Sequence, residues 1–282
     1  MSTFAPLANE QAGNQESAFD YLDLNSQVRH QATLAEEAAL AISYNGISQA
    51  VMMVTPNDLE DFVLGFSLSN RLIARPEELY DIEFGGQGEA RQAELTIANR
   101  AFAELKQQRR QLAGTSGCGV CGVAALEQAL PAMPSLSPAP LPPARLFARL
   151  RQRLAEHQQL AQPSGALHAA AYLDNQGEIL FCREDIGRHN ALDKLIGALY
   201  HAAISPRDGV VVMTSRCSLE LIQKAVSTGI GTLATLSAPT ALTVQWARRH
   251  QLNLIHVPHH SEPRLYSPVP VRGSVSVGQT VE

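Results

Sequence analysis

Two cysteines carry the most chemistry in this chain, Cys118 and Cys121, set in the run Gly114-Thr115-Ser116-Gly117-Cys118-Gly119-Val120-Cys121-Gly122. A run so rich in glycine suits neither a helix interior nor a strand interior, and with no bulky residue beside the thiols it leaves them open to large reactants. A Cys-x-x-Cys pair fits three chemistries: half of a structural metal site, a redox couple, or a sulfur-carrying nucleophile. The remaining cysteines, Cys182 and Cys217, have no close cysteine or histidine companion in sequence, which weighs against a four-ligand zinc centre. A thioredoxin-like pair would follow a strand and open the first helix of a compact βαβ domain. A zinc deaminase would need an upstream His-x-Glu and a proline before its cysteines, where this chain has Gly117. Nucleophilic sulfur chemistry fits best. A thiolate attacks the outer sulfur of a donor persulfide and becomes a persulfide itself, and a second thiol nearby can share that cargo, displace it, or reset the first through a disulfide. Arg109 and Arg110 upstream would lower the thiol pKa if the fold returns them to the loop.

The densest polar run is Arg183-Glu184-Asp185-Ile186-Gly187-Arg188-His189-Asn190, between an apolar strand pattern and an apolar helix pattern. One reading is a salt-bridged helix start capped by Asp185 or Asn190. The other is a group that orients a polar ligand or positions the cysteine loop, with His168 as a further member. Three more clusters, Ser215-Arg216-Cys217-Ser218, Ser237-Ala238-Pro239-Thr240 and Val257-Pro258-His259-His260-Ser261-Glu262, each follow an apolar strand pattern. Serine and threonine before a helix are ordinary caps. Three such clusters in succession also suit a nucleotide-like ligand, because free N–H groups at helix starts bind phosphate.

The elements that must hold these groups follow from periodicity. At 282 residues, 45% hydrophobic and 17% charged, the chain can bury one large or two medium cores. The net charge of -5 argues against nucleic acid or an anionic membrane as a general partner. No apolar run approaches the ~20 residues of a membrane span, and Met1 to Gln15 lacks an apolar signal core, so a cytoplasmic protein is expected. Four cysteines are too few for a disulfide scaffold of this length.

Residues 1–30 read as a flexible arm. Ala39 to Val54 reads as a hairpin about Asn45-Gly46, and Thr55-Pro56-Asn57-Asp58 as the capped start of a helix whose Leu59, Phe62, Val63 and Phe66 face a core. A turn at Gly85-Gly86, a strand at Glu94 to Ala98 and a helix over Ala101 to Leu112 lead into the cysteine loop, with a short helix over Ala124 to Leu130 beyond it. Residues 131–143, with six prolines, form an extended connector. The boundary set there divides 31–143, an α+β domain carrying the cysteines, from 144–282. Ala144 to Ala161 reads as a helix with a solvated arginine face. A hairpin about Asp174 to Gly177 and then alternating helices and strands argue for parallel βαβ units, which bind ligands beyond the carboxyl ends of their strands.

With these motifs in place, the chain resembles the FdhD family over roughly Asn45 to Tyr266. The resemblance rests on Ser116 to Gly122, on Leu167-His168-Ala169-Ala170-Ala171, on Arg183 through Lys194 and on Ser237 to Thr240. It implies a sulfurtransferase that takes persulfide sulfur from a cysteine desulfurase and delivers it to the bis-guanylated molybdenum or tungsten pterin cofactor of a formate dehydrogenase. A non-catalytic chaperone for the same cofactor is the alternative. By motif position Cys118 would bear the persulfide and Cys121 assist it, while residues 257 to 262 would contact molybdenum bis(molybdopterin guanine dinucleotide) as bound substrate, with no permanent metal. The resemblance also implies an α/β fold in which the C-terminal domain is a cytidine-deaminase-like three-layer αβα sandwich, a formate dehydrogenase apoenzyme as client, and a possible homodimer. The chain departs from the family pattern at Val257, His259 and Glu262, where the family runs Phe-x-Arg and then a further Arg, and at Ser215 to Ser218.

Overall fold

The computed structural model describes residues 18–113 and 130–269. Cys118, Cys121 and nearly all of the short helix expected over Ala124 to Leu130 lie outside the described residues.

The first element corrects the expectation of a flexible arm through residue 30. β1 (Ala18–Leu22) and β2 (Arg29–Thr33) form an antiparallel pair. Their turn is closed by the Asp23 carboxylate, which accepts from the N–H groups of Asn25 (2.9 Å) and Ser26 (2.7 Å). Such Asx chemistry makes a turn out of a polar stretch that composition alone assigns to disorder.

β3 (Ala38–Tyr44) and β4 (Ile47–Val54) are the expected hairpin, with Asn45 at φ 46 and Gly46 at φ 79. Positive φ at both central residues is what a type I′ turn demands. Asn45 also ties the hairpin to its neighbour, since its side-chain amide donates to the Ile97 carbonyl (3.1 Å) and accepts from the Ile97 N–H (2.8 Å). That neighbour, β6 (Ala90–Ile97), runs parallel to β3 and pairs with β5 (Leu79–Gln87), so the sheet order is β4-β3-β6-β5. The expected turn at Gly85-Gly86 falls instead at Gly88-Glu89, because β5 stays in register with β6 as far as Gln87 opposite Ala90.

Between these ribbons lies α1 (Leu59–Ser69), and α2 (Asn99–Ala113) follows β6. The expected cap at Thr55 is not used. Thr55 Oγ1 accepts from the Ile186 N–H (3.1 Å) and its own N–H donates to Asp185 Oδ2 (3.0 Å), so the helix begins four residues later, after Asp58 at φ 52. Phe62, Val63 and Phe66 are buried as expected, and Leu59 is half-buried.

Residues 131–143 are extended, as the prolines require. They lie along the C-terminal half: Leu136 N–H donates to the His250 carbonyl (3.0 Å), and the Asn253 side chain donates to the carbonyls of Ala139 and Pro140 (both 3.2 Å). The single helix expected over Ala144 to Ala161 is broken. A 3-10 turn covers Ala144–Phe147, and α3 (Leu150–His157) starts after Arg149 at φ 50. Arg153 explains the break, since its guanidinium donates to the carbonyls of Leu146 (3.1 Å) and Ala148 (3.4 Å), oxygens that a continuous helix would have used itself, and to that of Gly177 in the turn about Asp174 to Gly177. One further turn, α4, covers Ala161–Ser164.

β7 (His168–Leu173) and β8 (Ile179–Asp185) form the second expected hairpin. Then come α5 (Arg188–His201), β9 (Val210–Met213), α6 (Leu219–Ser227), β10 (Thr232–Thr235), α7 (Ala241–Arg249) and β11 (Asn253–His256). β9, β10 and β11 are parallel, as the alternation predicts. The sequence reading missed an antiparallel edge strand, β12 (Arg264–Ser267), which completes the order β12-β11-β10-β9-β7-β8.

Alternate residues of these strands enter two cores. Val211, Met213, Leu233 and Leu254 pack with Leu192, Leu195, Leu221 and Trp246, in one cluster that also contains Leu40, Ile42, Phe62 and Leu95. Val210, Val212, Ala234 and Ile255 meet Leu146, Leu150 and Leu154 on the other face. The first cluster draws on both sides of the 131–143 stretch. Its seam is the crossing of α1 and α5, where a Cβ on Gly65 would lie 1.8 Å from the Asp193 carbonyl oxygen and a Cβ on Gly197 1.9 Å from that of Asp61. Only glycine permits this approach.

Candidate functional site

Strand direction assembles one polar edge. Because β9, β10 and β11 are parallel while β7 and β12 run against their neighbours, the start of β7, the ends of β8, β9, β10 and β11 and the start of β12 share a rim. The register records it: His168 opposite Asp185, Met213 opposite Thr235, Thr235 opposite His256, and His256 opposite Arg264. The helices α5, α6 and α7 begin at this rim, so all four polar clusters singled out in the sequence meet there.

The run from Arg183 to Asn190 divides into two sets. Four members build structure. Arg183 pairs with Asp61 (2.7 Å) and stands 3.8 Å from Asp58, and the Glu184 carboxylate accepts the N–H groups of Leu160 (2.8 Å) and Ala161 (2.9 Å). Asp185, fully buried, accepts from Thr55 N–H, Gly187 N–H (2.8 Å) and the Asn190 amide (2.9 Å), and forms an ion pair with Lys194 (2.8 Å). Lys194 is also fully buried and donates to the carbonyls of Thr55 (2.9 Å) and Glu184 (3.1 Å), while burial holds its pKa below the ordinary lysine range.

Arg188 and His189 are left at the rim with His168 and Arg216. His168 is half-buried, and its pKa is lowered first by burial and then by the charges of Arg188 and Arg216. His189 Nε2 lies 2.6 Å from a carboxylate oxygen of Glu220 and 3.2 Å from Ser218 Oγ. Burial pushes His189 down to about 4 despite Glu220, so it is a neutral hydrogen-bonding imidazole at neutral pH. Ser218 is the residue before α6, yet its hydroxyl makes no capping bond. At Thr240 capping is the observed role: its hydroxyl accepts from Thr243 N–H (3.3 Å), and the Thr243 hydroxyl accepts from Thr240 N–H (2.9 Å).

The segment from 257 to 262 leaves the end of β11. Val257 buries its side chain in the cluster of Val210, Ile255 and Leu150 and donates its N–H to the Thr235 carbonyl (2.9 Å), so it can offer a ligand little beyond backbone. Pro258 is half-exposed, and His259, His260, Ser261 and Glu262 are exposed. The Nδ1 atoms of His259 and His260 are 3.2 Å apart, and Arg264 donates to Ser261 Oγ (3.1 Å).

The sequence reading missed two residues here. Arg151, expected on a solvated face, reaches from α3 to donate to the carbonyls of Leu236 (2.7 Å) and Val257 (3.1 Å), clamping the loops after β10 and β11 together. No local pattern predicts this, because the partners lie 85 and 106 positions away. His256 is buried at the end of β11, with its pKa lowered by burial and by Arg264 and Arg151. Arg151 Nε, Arg188 Nε and His256 Nδ1 are buried without a hydrogen-bond partner. Buried nitrogens of this kind are uncommon in a finished interior and suit a polar ligand.

Of the thiols, Cys182 is half-buried and pushed up to about 12, and Cys217 is buried and pushed up to about 11, both chiefly by desolvation. Each stays protonated at neutral pH and is a poor nucleophile.

Fold and rim together define a mixed α/β protein with a cation-rich edge at the ends of its strands. Residues 35–271 match the FdhD/NarQ family, and the chain belongs to it. The chain is 48% identical over 223 residues to the sulfur carrier protein FdhD of Cupriavidus necator, covering 78% of this chain and 77% of that one. It is 42% identical over 234 residues to the protein of the same name in Bordetella petrii, covering 83% and 84%. A crystal structure described as a formate dehydrogenase accessory protein from Desulfotalea psychrophila shares the fold, with a TM-score of 0.66 at 21% identity over 88% of this chain and 94% of that one.

Proposed function

We propose that this chain is a sulfurtransferase. Cys118 accepts sulfane sulfur from the persulfide of a cysteine desulfurase and surrenders it to the bis-guanylated molybdenum or tungsten pterin cofactor destined for a formate dehydrogenase. The observation that carries the cofactor half of this reading is the rim, where Arg151, Arg188, Arg216 and Arg264 gather with His168 and His256 and three buried nitrogens lack a partner. Cations and helix starts beyond the strand ends suit the phosphates of a nucleotide. The relatives' name, sulfur carrier protein, supports the sulfur half.

In the first step the Cys118 thiolate attacks the donor's outer sulfur, the donor S–S bond breaks and its thiolate leaves, with no net gain or loss of electrons. Attack of Cys121 on Cys118 Sγ then closes a disulfide and releases the outer sulfur as hydrosulfide, which takes the electron pair of the broken bond. A thiol reductant resets the pair. Neither Cys182 nor Cys217 substitutes, because each thiol is held in its protonated form. On this reading residues 31–143 present the cysteines, and 144–282 hold the guanylated end of the cofactor in a deaminase-like sandwich of the cytoplasmic protein, with residues 257 to 262 at the mouth.

Intact-mass spectrometry after incubation with a cysteine desulfurase and cysteine tests the sulfur half. The wild type is expected to gain one or more sulfur atoms that reductant removes, and Cys118→Ala to gain none while binding GDP as the wild type does. Sulfur uptake by Cys118→Ala at the wild-type level would refute the assignment.

A further inference from the structure

β5 is the edge of the four-stranded sheet, paired with β6 on one side and, among the described residues, with no strand on the other. From Asp81 to Gln87 its register with β6 is regular, and as far as Gly85 its outward N–H and C=O groups run unpaired among the described residues. Proteins usually blunt such an edge with lysine, proline, a bulge or a cover. The sequence of β5, Leu-Tyr-Asp-Ile-Glu-Phe-Gly-Gly-Gln, contains no lysine, arginine or proline; its register shift lies at one end, between Leu79 and Asp81, and Gly86, at φ 79, lies at the other.

Its side chains sort by face. Ile82 packs against the core, so Phe84 shares its side of the sheet, yet it is 42% exposed. Beside Phe84 a cavity of about 290 Å³ opens between the sheet edge and the start of α1, lined by Pro56, Leu59, Glu60, Gly85, Gly86 and Arg91. It is at the small end of the ~300–1,000 Å³ span of ligand clefts, a size for a large side chain rather than a cofactor. The opposite face is acidic. Asp81 and Glu83 project there, and Glu83 stands directly across from Glu94. Glu94 is occupied by Gly46 N–H (2.6 Å), while among the described residues neither Asp81 nor Glu83 forms an ion pair. Like charges directly opposite destabilise a sheet, and a cation on the next strand out would relieve them.

We propose that β5 is the docking edge for an extended segment of a partner protein in which basic and large apolar side chains alternate. The segment adds as a fifth strand through main-chain hydrogen bonds, sets its cations against Asp81 and Glu83, and places an apolar side chain over Phe84 and into the cavity. Charge and pleat together select that alternation: a strand beside β5 must show every second side chain to the acidic face and the others to the aromatic one. The proposal stands apart from the sulfur chemistry and from the rim, which belongs to the six-stranded sheet.

Fluorescence anisotropy with the full chain tests it, using a labelled, capped octapeptide of alternating lysine and phenylalanine and its glutamate-for-lysine counterpart. The lysine peptide should bind and the glutamate peptide should not. Glu83→Lys should weaken binding by about tenfold, a change of ~1.4 kcal/mol, and Phe84→Ser should weaken it as well. Phe84 is exposed and lies outside both cores, so this change should spare the fold. Glu36→Lys makes the same charge change at an exposed position and should bind as the wild type does. Absence of binding, or equal losses in Glu36→Lys and Glu83→Lys, would overturn the proposal. So would a wild-type dimer that Glu83→Lys converts to monomer, since that would give the edge to a second copy of the chain.

Discussion

An imidazole that refuses a proton until well below its ordinary range works by hydrogen bonding, and His189 is held in that state between Ser218 and Glu220. Folded His189 protonates near pH 4, while an unfolded chain takes up the same proton near 6.5. Between those values the unfolded chain carries more protons, so stability falls as pH drops from about 6.5 to about 4. Thermal midpoints across that window should fall less for His189→Gln than for the wild type, and equal acid sensitivity would contradict the assignment. At the other end of the polar run, Lys194→Met would strand the Asp185 carboxylate in the interior. A urea titration should show a loss of about 3–5 kcal/mol, partly recovered when Asp185→Asn removes the stranded charge as well. The two helix-start hydroxyls should differ: Thr240→Ala should cost ~1 kcal/mol as a lost cap, and Ser218→Ala less, since that hydroxyl caps nothing. The sequence marked Arg183 to Asn190 as unusual from its density of charge. It did not reveal which members are structural, because the partners of Arg183, Asp185 and Asn190, namely Asp61, Thr55 and Met53, lie more than 120 positions away. Lys194, a lone cation between Leu192 and Leu195, was the one local hint of a buried pair.

At the level of elements, legibility followed how local the cause was. The Asn45-Gly46 hairpin, the extended prolines of 131–143 and the parallel β9 to β11 all follow from turn chemistry or from period, and all are present. The broken helix after Ala144 was not legible, since the carbonyls that Arg153 captures are known only once Gly177 has been brought beside them. β12 was missed because Arg264-Leu265-Tyr266-Ser267 is too short to show alternation. The clamp by Arg151 is likewise tertiary, and it gives the loops after β10 and β11 a common anchor. Replacing it by Gln should lower GDP affinity by about tenfold, the worth of one or two hydrogen bonds at ~1 kcal/mol each. Calorimetry showing unchanged affinity would mean that these loops hold nothing.

The whole molecule was legible as a mixed α/β chain, but the way its halves join was not. No periodicity foretells that α1 and α5 touch backbone to backbone. Gly65→Ala should therefore cost about 3 kcal/mol or more by overpacking. Gly85→Ala, where a new methyl meets nothing within 4 Å, should be neutral or slightly stabilising in the same denaturant series. A seam with glycine on both sides has no cushion of side chains that could slide, so prising the helices apart opens the cluster that runs through both halves. Calorimetry should then record a single melting event for the described body, not one for each half. With the described residues joined so closely along this seam, the sulfur transfer proposed above would take its order from which visitor arrives first, not from an opening between the halves.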